Sequence, residues 1–153
     1  LKGHASVEWA GFCDVDRREI EAIKQEFPNA WTTLDYREAF ADRVGDFDAV
    51  IVDTPDHHHA PMMVTALKHH KHVYGQKPLV HQLDELRMIR DALKARPGLV
   101  TQMGNQRACN RGRMVAVEIL RNNQLGRPVE AHVWTGGVSR GHYFADPWQK
   151  YTE

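Results

Sequence analysis

Nowhere does this 153-residue chain hold the roughly 18 consecutive apolar residues that a membrane-spanning helix needs, so no membrane span is expected. It lacks a charge excess as well: 20 Lys and Arg offset 20 Asp and Glu, and no basic block stands out, which argues against a nucleic-acid partner. Cysteine is scarce. Cys13 and Cys109 make no disulfide framework, and a reducing compartment, with the cytoplasm as the expected location, is compatible with that. Also missing is a leader. The chain starts at Leu1 rather than Met and runs straight into "HASVEWAGFC", which reads as a fragment, and an export signal upstream would have been lost. No internal repeat or low-complexity linker is present. What remains is an ordinary composition, 42% hydrophobic and 26% charged, long enough for one domain with a core or for one domain and part of another.

Hydrophobic patterning supplies the organisation. "VEWAGFC" (7–13) predicts a short buried strand, and residues 16–26 a helix with Ile20, Ile23 and Phe27 on one face, ended by Pro28. Asp35 reads as an N-cap for "YREAFADR", with Glu38 completing a capping box. "DAVIVDT" (48–54) is an apolar run that stops at Thr54-Pro55, and a helix fits 58–69 after it. "KHVYG" predicts a strand. Residues 81–95 predict a helix carrying Leu83, Leu86, Met88, Ile89, Ala92 and Leu93, stopped by Pro97-Gly98. "LVTQMG" predicts the next strand, 112–122 a helix with Gly126 closing the turn after it, and the alternating "VEAHVWTGG" (129–137) a strand with one covered face. Strands alternating with helices, the early strands as unbroken apolar runs, describe an α/β fold of the doubly wound, Rossmann-like kind with a parallel sheet covered on both faces. Ligands of such sheets bind at the carboxyl ends of the strands. That directs attention to Asp14, Thr54 to His59, Gly75 to Pro78, and Gly104 to Arg107.

At those ends the residue types are suggestive. Asp14 directly follows an apolar strand. An acid there accepts hydrogen bonds from the adenosine ribose and repels a 2′-phosphate, favouring NAD over NADP; the plainer alternative is a solvated N-cap. No glycine-rich phosphate loop precedes it, because Gly3 is the only glycine before Gly11. The three adjacent histidines of "TPDHHHAPMM" (54–63) invite a metal reading, but neighbouring side chains do not face one site on a helix or a strand, so no metal is expected. Lys77 stands where a strand ends. It can donate to a hydroxyl or carbonyl oxygen, while an isolated Lys-Pro pair reads more readily as a surface lysine in a strand-to-helix turn. Pro78 fixes the local backbone and is a candidate for a cis bond.

Together these segments resemble the Gfo/Idh/MocA oxidoreductases, the family of glucose–fructose oxidoreductase and the inositol dehydrogenases. The string "TPDHHHAPMMVTALKHHKHVYGQKPL" (54–79) is similar to its Thr-Pro-x-x-x-His segment, helix, Lys-His-Val strand and Glu-Lys-Pro motif. "DVDRREIEAI", "LDYREAF" and "VEILRNNQLGRPVEAHVWTGG" follow in the family's order, so the resemblance spans residues 7–137. It implies an incomplete NAD(P)-binding Rossmann domain over 1–103, lacking its first strand and glycine loop. The truncated start of an α/β, open-sheet substrate domain would then occupy 104–153. It implies hydride transfer between the nicotinamide and a sugar or cyclitol hydroxyl or ketone. By position, Lys77 is the motif lysine beside the reacting hydroxyl, the one catalytic candidate. Asp14, Thr54, Pro55, His59, Gln76, Pro78, Asn105 and Arg107 fall with Lys77 on the cofactor side. Gln76 replaces the usual glutamate and supplies no carboxylate to pair with Lys77. His70 stands where the family often has glycine in the left-handed region.

Other readings stay open at this point. A superfamily hydrolase or lyase uses bound NAD in a closed redox cycle, and a non-catalytic nucleotide-binding module needs no chemistry at all. The fragment alone is expected to be inactive, because the family's later acid/base residues lie further along than "DPWQKYTE". The full-length protein is expected to take a small-molecule substrate and to form a homo-oligomer through its open sheet.

Overall fold

Parallel strands and helices alternate through the computed structural model, which describes residues 3–132. The strands are β1 (Gly11–Cys13), β2 (Trp31–Thr33), β3 (Ala49–Val52), β4 (His72–Gln76) and β5 (Thr101–Gly104). The helices are α1 (Arg17–Glu26), α2 (Tyr36–Asp42), α3 (His59–Lys68), α4 (Leu83–Lys94) and α5 (Arg111–Arg121), with short 3-10 turns at Val44–Asp46, Asp56–His58 and Gln106–Cys109. The chain forms two compact units, Leu1–Ala108 and Cys109–Glu153.

Local chemistry explains most element ends. Asp16 caps α1 by accepting from the Arg18 amide at 2.9 Å, and Asp35 caps α2 by accepting from the Arg37 amide at 2.9 Å. The expected capping-box partner, Glu38, instead accepts a hydrogen bond from the Thr33 hydroxyl. The Glu85 carboxylate takes the amides of His81 and Gln82, both at 2.8 Å, at the start of α4. α3 ends in a Schellman turn: His70 sits at φ 59°, its amide donates to Leu67 at 3.0 Å, and the Lys71 amide donates to Ala66 at 2.9 Å. The left-handed position read for His70 is therefore occupied by a histidine in the conformation glycine usually takes.

β3, β4 and β5 form one parallel sheet, in register Val52↔Gly75↔Met103 and Ile51↔Tyr74↔Gln102. One face, with Val50, Val52 and Val73, packs under α3. Phe40, Val52, Met63, Leu67, Val73 and Ile89 are at the centre of the core. α3 buries a broad stripe and α4 a narrower one: Ile89 is buried and Ala92 and Leu93 pack on the core, but Leu83 and Met88 are exposed. On the opposite face of the sheet Ile51 keeps 41% exposure.

β1 and β2 pair separately, Gly11↔Trp31 through Cys13↔Thr33. The expected single doubly wound sheet is thus present as two parallel sheets, β1–β2 and β3–β4–β5, among the described residues. In the doubly wound order 3-2-1-4-5-6, a strand placed between β1 and β3 would join them. Sequence reading missed β2 because three residues, Trp31, Thr32 and Thr33, show neither an apolar run nor alternation. It also drew β1 too long. The strand expected over 129–137 is not formed over 129–132, where Val129 is 96% exposed, and the rest of it lies outside the described residues. In the second unit, α5 starts after Asn110, whose side chain accepts from the Arg113 amide at 3.3 Å, and ends at Arg121, with Asn123 at φ 53° in the turn beyond it.

Candidate active site at the strand ends

The carboxyl ends of β3 and β4 lie side by side, since Val52 pairs with Gly75 in a parallel ladder. Thr54-Pro55 leaves β3 there, and Lys77-Pro78 leaves β4 through a cis peptide bond. Two close approaches hold this corner. A Cβ on Gly75 would lie 2.6 Å from Met63 Sδ, so glycine lets α3 sit against β4. A Cβ on Gly104 would strike Gln76 Oε1 and come within 2.9 Å of the Tyr74 hydroxyl, so glycine lets Gln76 cross to β5.

Gln76 is therefore a structural link as much as a binding candidate. Its Oε1 accepts from the Lys77 amide at 2.9 Å and from Gln106 Nε2 at 3.2 Å. Gln106 was not among the residues read from the sequence. Its only signal was its place between Asn105 and Arg107, and its partner stands 30 residues earlier. Lys77 and Asn105 are exposed at their strand ends. Arg107 lies in the Gln106–Cys109 turn, but its side chain is outside the described residues.

His59 corrects the sequence reading. It is 1% exposed, and its ring is spent on the protein itself: Nδ1 lies 2.6 Å from the Pro78 carbonyl oxygen and Nε2 2.7 Å from the Thr54 carbonyl oxygen. No ring nitrogen is left for a cofactor, so His59 supports the site from below. Thr54 is different. Its Oγ1 is buried with no hydrogen-bond partner among the described residues. Leaving a buried hydroxyl unmatched costs about 1–3 kcal/mol, which a ligand's polar group would recover. This orphan is the observation by which the site's residues fit a polar cofactor.

At the end of β1 the Asp14 side chain accepts from the Asp16 amide at 2.8 Å and stays exposed; Asp16, not Asp14, is the helix cap. Asp14 has acidic company. The Cys13 thiol is pushed up to about 11 by partial burial first, then by the carboxylates of Asp35, Asp14 and Glu38. Cys13 as a residue keeps exposed surface, so the carboxylates are the cause that a substitution can test. Two neighbouring cations are engaged: Arg18 binds the Asp16 carboxylate at 2.8 Å, and Arg37 bridges that of Asp35, holding it below the usual range. Among the described residues no group of three His, Cys, Asp or Glu side chains is arranged to hold a metal ion. A hollow lined by Trp31, Thr33, Leu34, Glu38, Asp42 and Arg43 lies beside β2, and it includes neither Thr54 nor Lys77.

The model of an oxidoreductase family with an NAD-binding Rossmann fold matches residues 1–103. The chain belongs to the Gfo/Idh/MocA oxidoreductase family. It is 24% identical over 129 residues to inositol 2-dehydrogenase of Salmonella paratyphi B, covering 84% of this chain and 38% of that protein. An inositol 2-dehydrogenase of Rubrobacter xylanophilus is 30% identical over 94 residues, covering 61% of this chain and 26% of that one. Among solved structures, myo-inositol 2-dehydrogenase from Lactobacillus plantarum superimposes with a TM-score of 0.74 at 22% identity, over 82% of this chain and 36% of that one. The scyllo-inositol dehydrogenase of Lactobacillus casei with bound NAD(H) and scyllo-inositol gives 0.67 at 21% identity, over 74% and 33%. The chain thus spans well under half the length of these relatives. No helix among the described residues is long and apolar enough to cross a membrane.

Proposed function

We propose that the whole protein is an NAD-dependent oxidoreductase moving a hydride between the nicotinamide and a sugar or cyclitol hydroxyl or ketone. The observation that carries this is the corner where β3 and β4 end together, with an unpartnered buried Thr54 hydroxyl on one strand and Lys77 exposed on the next. When bound, the nicotinamide supplies hydride exchange. Lys77 orients and polarises the reacting oxygen as a donor. Thr54 hydrogen-bonds the cofactor, Pro55 and Pro78 fix the two loops, Asn105 stands at the same end after β5, and Arg107 is assigned there by its place in the sequence. The cyclitol class is favoured by the relatives, several of which are inositol dehydrogenases.

Asp14 holds the adenosine ribose in this reading. Three carboxylates around Cys13 make the β1–β2 end repel a 2′-phosphate, and Arg18 and Arg37, which could otherwise receive one, are paired with Asp16 and Asp35. The phosphate-binding glycines are assigned to a strand outside these 153 residues, seated between β1 and β3 where the two sheets part. The test is the product of the complete reading frame. With inositols or sugars and added NAD it should accumulate NADH. Binding of NADH without net turnover would favour a closed redox cycle, and no binding at all would sink the reading.

A further inference from the structure

We propose that Gln76 is a specificity-determining residue whose side-chain nitrogen donates to an acceptor oxygen of the bound ligand, where a carboxylate at this position would repel one. The orientation of its amide carries the argument. Gln76 Oε1 lies 2.9 Å from the Lys77 backbone nitrogen and 3.2 Å from Gln106 Nε2. A backbone N–H only donates, so the group that faces it is the oxygen. Turning the amide over would set its own N–H groups against that donor. The assignment of oxygen and nitrogen is therefore fixed by the main chain rather than by another rotatable side chain.

The nitrogen is left over. Nε2 carries two N–H donors, and no hydrogen bond engages them among the described residues. The buried side-chain atoms without a partner are Trp9 Nε1, Trp31 Nε1, Thr54 Oγ1 and Arg96 Nε, and Gln76 Nε2 is not one of them, so solvent or a ligand reaches it. Its place is the shared end of β4 and β5. A Cβ on Gly104 would strike Gln76 Oε1 and come within 2.9 Å of the Tyr74 hydroxyl, so the amide and that hydroxyl lie over the same glycine. Tyr74 and Gln76 alternate with Val73 and Gly75, which face α3, and so share the opposite face of β4. The Tyr74 hydroxyl likewise engages no described residue. Lys77 follows directly and is exposed. A ligand at this end therefore meets a cation and a neutral donor on successive residues, with no carboxylate from either. That pair suits an oxygen that accepts: the carboxamide oxygen of the nicotinamide, or the ketone or hydroxyl oxygen of the substrate. The inference rests on the NAD-dependent reading of this corner and adds the hydrogen-bond role that position 76 plays in it.

The test is Gln76→Glu in the full-length protein. The variant keeps an oxygen for the Lys77 N–H and for Gln106 Nε2, and puts a negatively charged oxygen where Nε2 stood. NADH affinity is read by fluorescence titration, and KM for a cyclitol ketone by steady-state assay at saturating NADH. A loss of about tenfold or more is expected in one of the two. It falls on NADH affinity when the acceptor is the carboxamide oxygen, and on KM with NADH affinity retained when the acceptor belongs to the substrate. Both quantities unchanged would overturn the proposal and leave the NAD reading standing. Wild-type protein that binds no NADH would overturn the NAD reading and the ligand contact with it. The amide orientation has its own readout, which needs neither ligand nor variant. In NMR of the full chain, a through-hydrogen-bond coupling should join the Lys77 amide nitrogen to the Gln76 side-chain carbonyl carbon. Its absence, with the equivalent couplings present across the β3–β4 ladder, would overturn the orientation and the proposal with it.

Discussion

The β3–β5 sheet and the β1–β2 pair sit in one compact unit yet are built differently. β3–β5 lies under α3, whose Leu67 and Ala66 are fully buried and Met63 nearly so, with Val52 and Val73 on the sheet below. β1 and β2 are three residues each, and only Ile20 of α1 is buried beside them; an aromatic group of Trp9, Phe12 and Phe27 does the rest, with ring centroids 4.9–5.9 Å apart. The two regions touch through Trp31 and Phe47, 6.0 Å between centroids. Both regions hold a glycine close approach, Gly11 against the Trp31 ring in the thinner pair and Gly75 and Gly104 in the sheet, but the sheet carries the buried His59 brace and the thinner pair the carboxylates. Positioning a reacting group needs rigid supports, whereas a solvated ribose hydroxyl needs only acceptors, so the distribution of order follows the proposed division of labour.

The largest effect should separate the regions by stability. Leu67→Ala removes a fully buried side chain and is expected to cost about 2–5 kcal/mol. Val15→Ala, 86% exposed after β1, should change stability by under about 0.5 kcal/mol. Urea unfolding of the two variants measures both. Equal losses would break the contrast.

Activity comes next. In the full-length enzyme Lys77→Ala is expected to lower kcat about tenfold or more, about 1.4 kcal/mol of barrier, with KM less affected, because a contact strengthened in the transition state is lost. Unchanged kcat would take Lys77 out of the chemistry and leave the corner as scaffold. On the β1 side, Asp14→Ala should weaken NAD by a few-fold and NADP less, measured by titration. Equal loss for both cofactors would count against the ribose role.

Cys13 probes the carboxylates without any cofactor. The thiolate is the reactive form, and a thiol pushed up to about 11 is almost wholly protonated near pH 8.5. Alkylation of Cys13 in the folded chain should run about tenfold or more slower than in denaturant. Asp35→Asn, which keeps an N-capping side chain, should recover part of that rate. No recovery would take Asp35 out of the shift and leave burial, with Asp14 and Glu38, as its cause.

How far the residues announced all this depends on range. The strands at 48–54 and 71–75 were legible because apolar runs next to turn residues are local signals, and Asp14, Thr54 and Lys77 followed as strand-end positions. β2 was not, since its strand character comes from pairing with β1 rather than from its own three residues. His59 was placed correctly in sequence but its ring was aimed wrongly. Its partner Pro78 stands 19 residues away, and no local pattern says that two carbonyls will claim both nitrogens before a ligand can. Gln106 fails for the same reason. The split of the sheet is a matter of which strand lies beside which, and hydropathy along the chain does not carry that information.

The smallest effect lies at the start of α4, next to the β4 loop. Amides of Gln82 and His81 hold the Glu85 carboxyl below its ordinary value. A folded-state pKa below the unfolded one means that the ionised cap stabilises the fold above the unfolded value of about 4.3, and that this contribution is lost as pH falls through the folded value. Glu85→Gln should therefore lower the melting temperature slightly at neutral pH, because the amide oxygen still accepts but without the charge, and should bring the two proteins together on the acid side, flattening the decline. Parallel acid profiles for the two proteins would mean that solvent competes successfully for those amides. The loop carrying Lys77 would then be anchored by His59, by Gln76 and by the packing of Leu79 and Val80 on the core, which would widen the gap between the braced corner and everything around it.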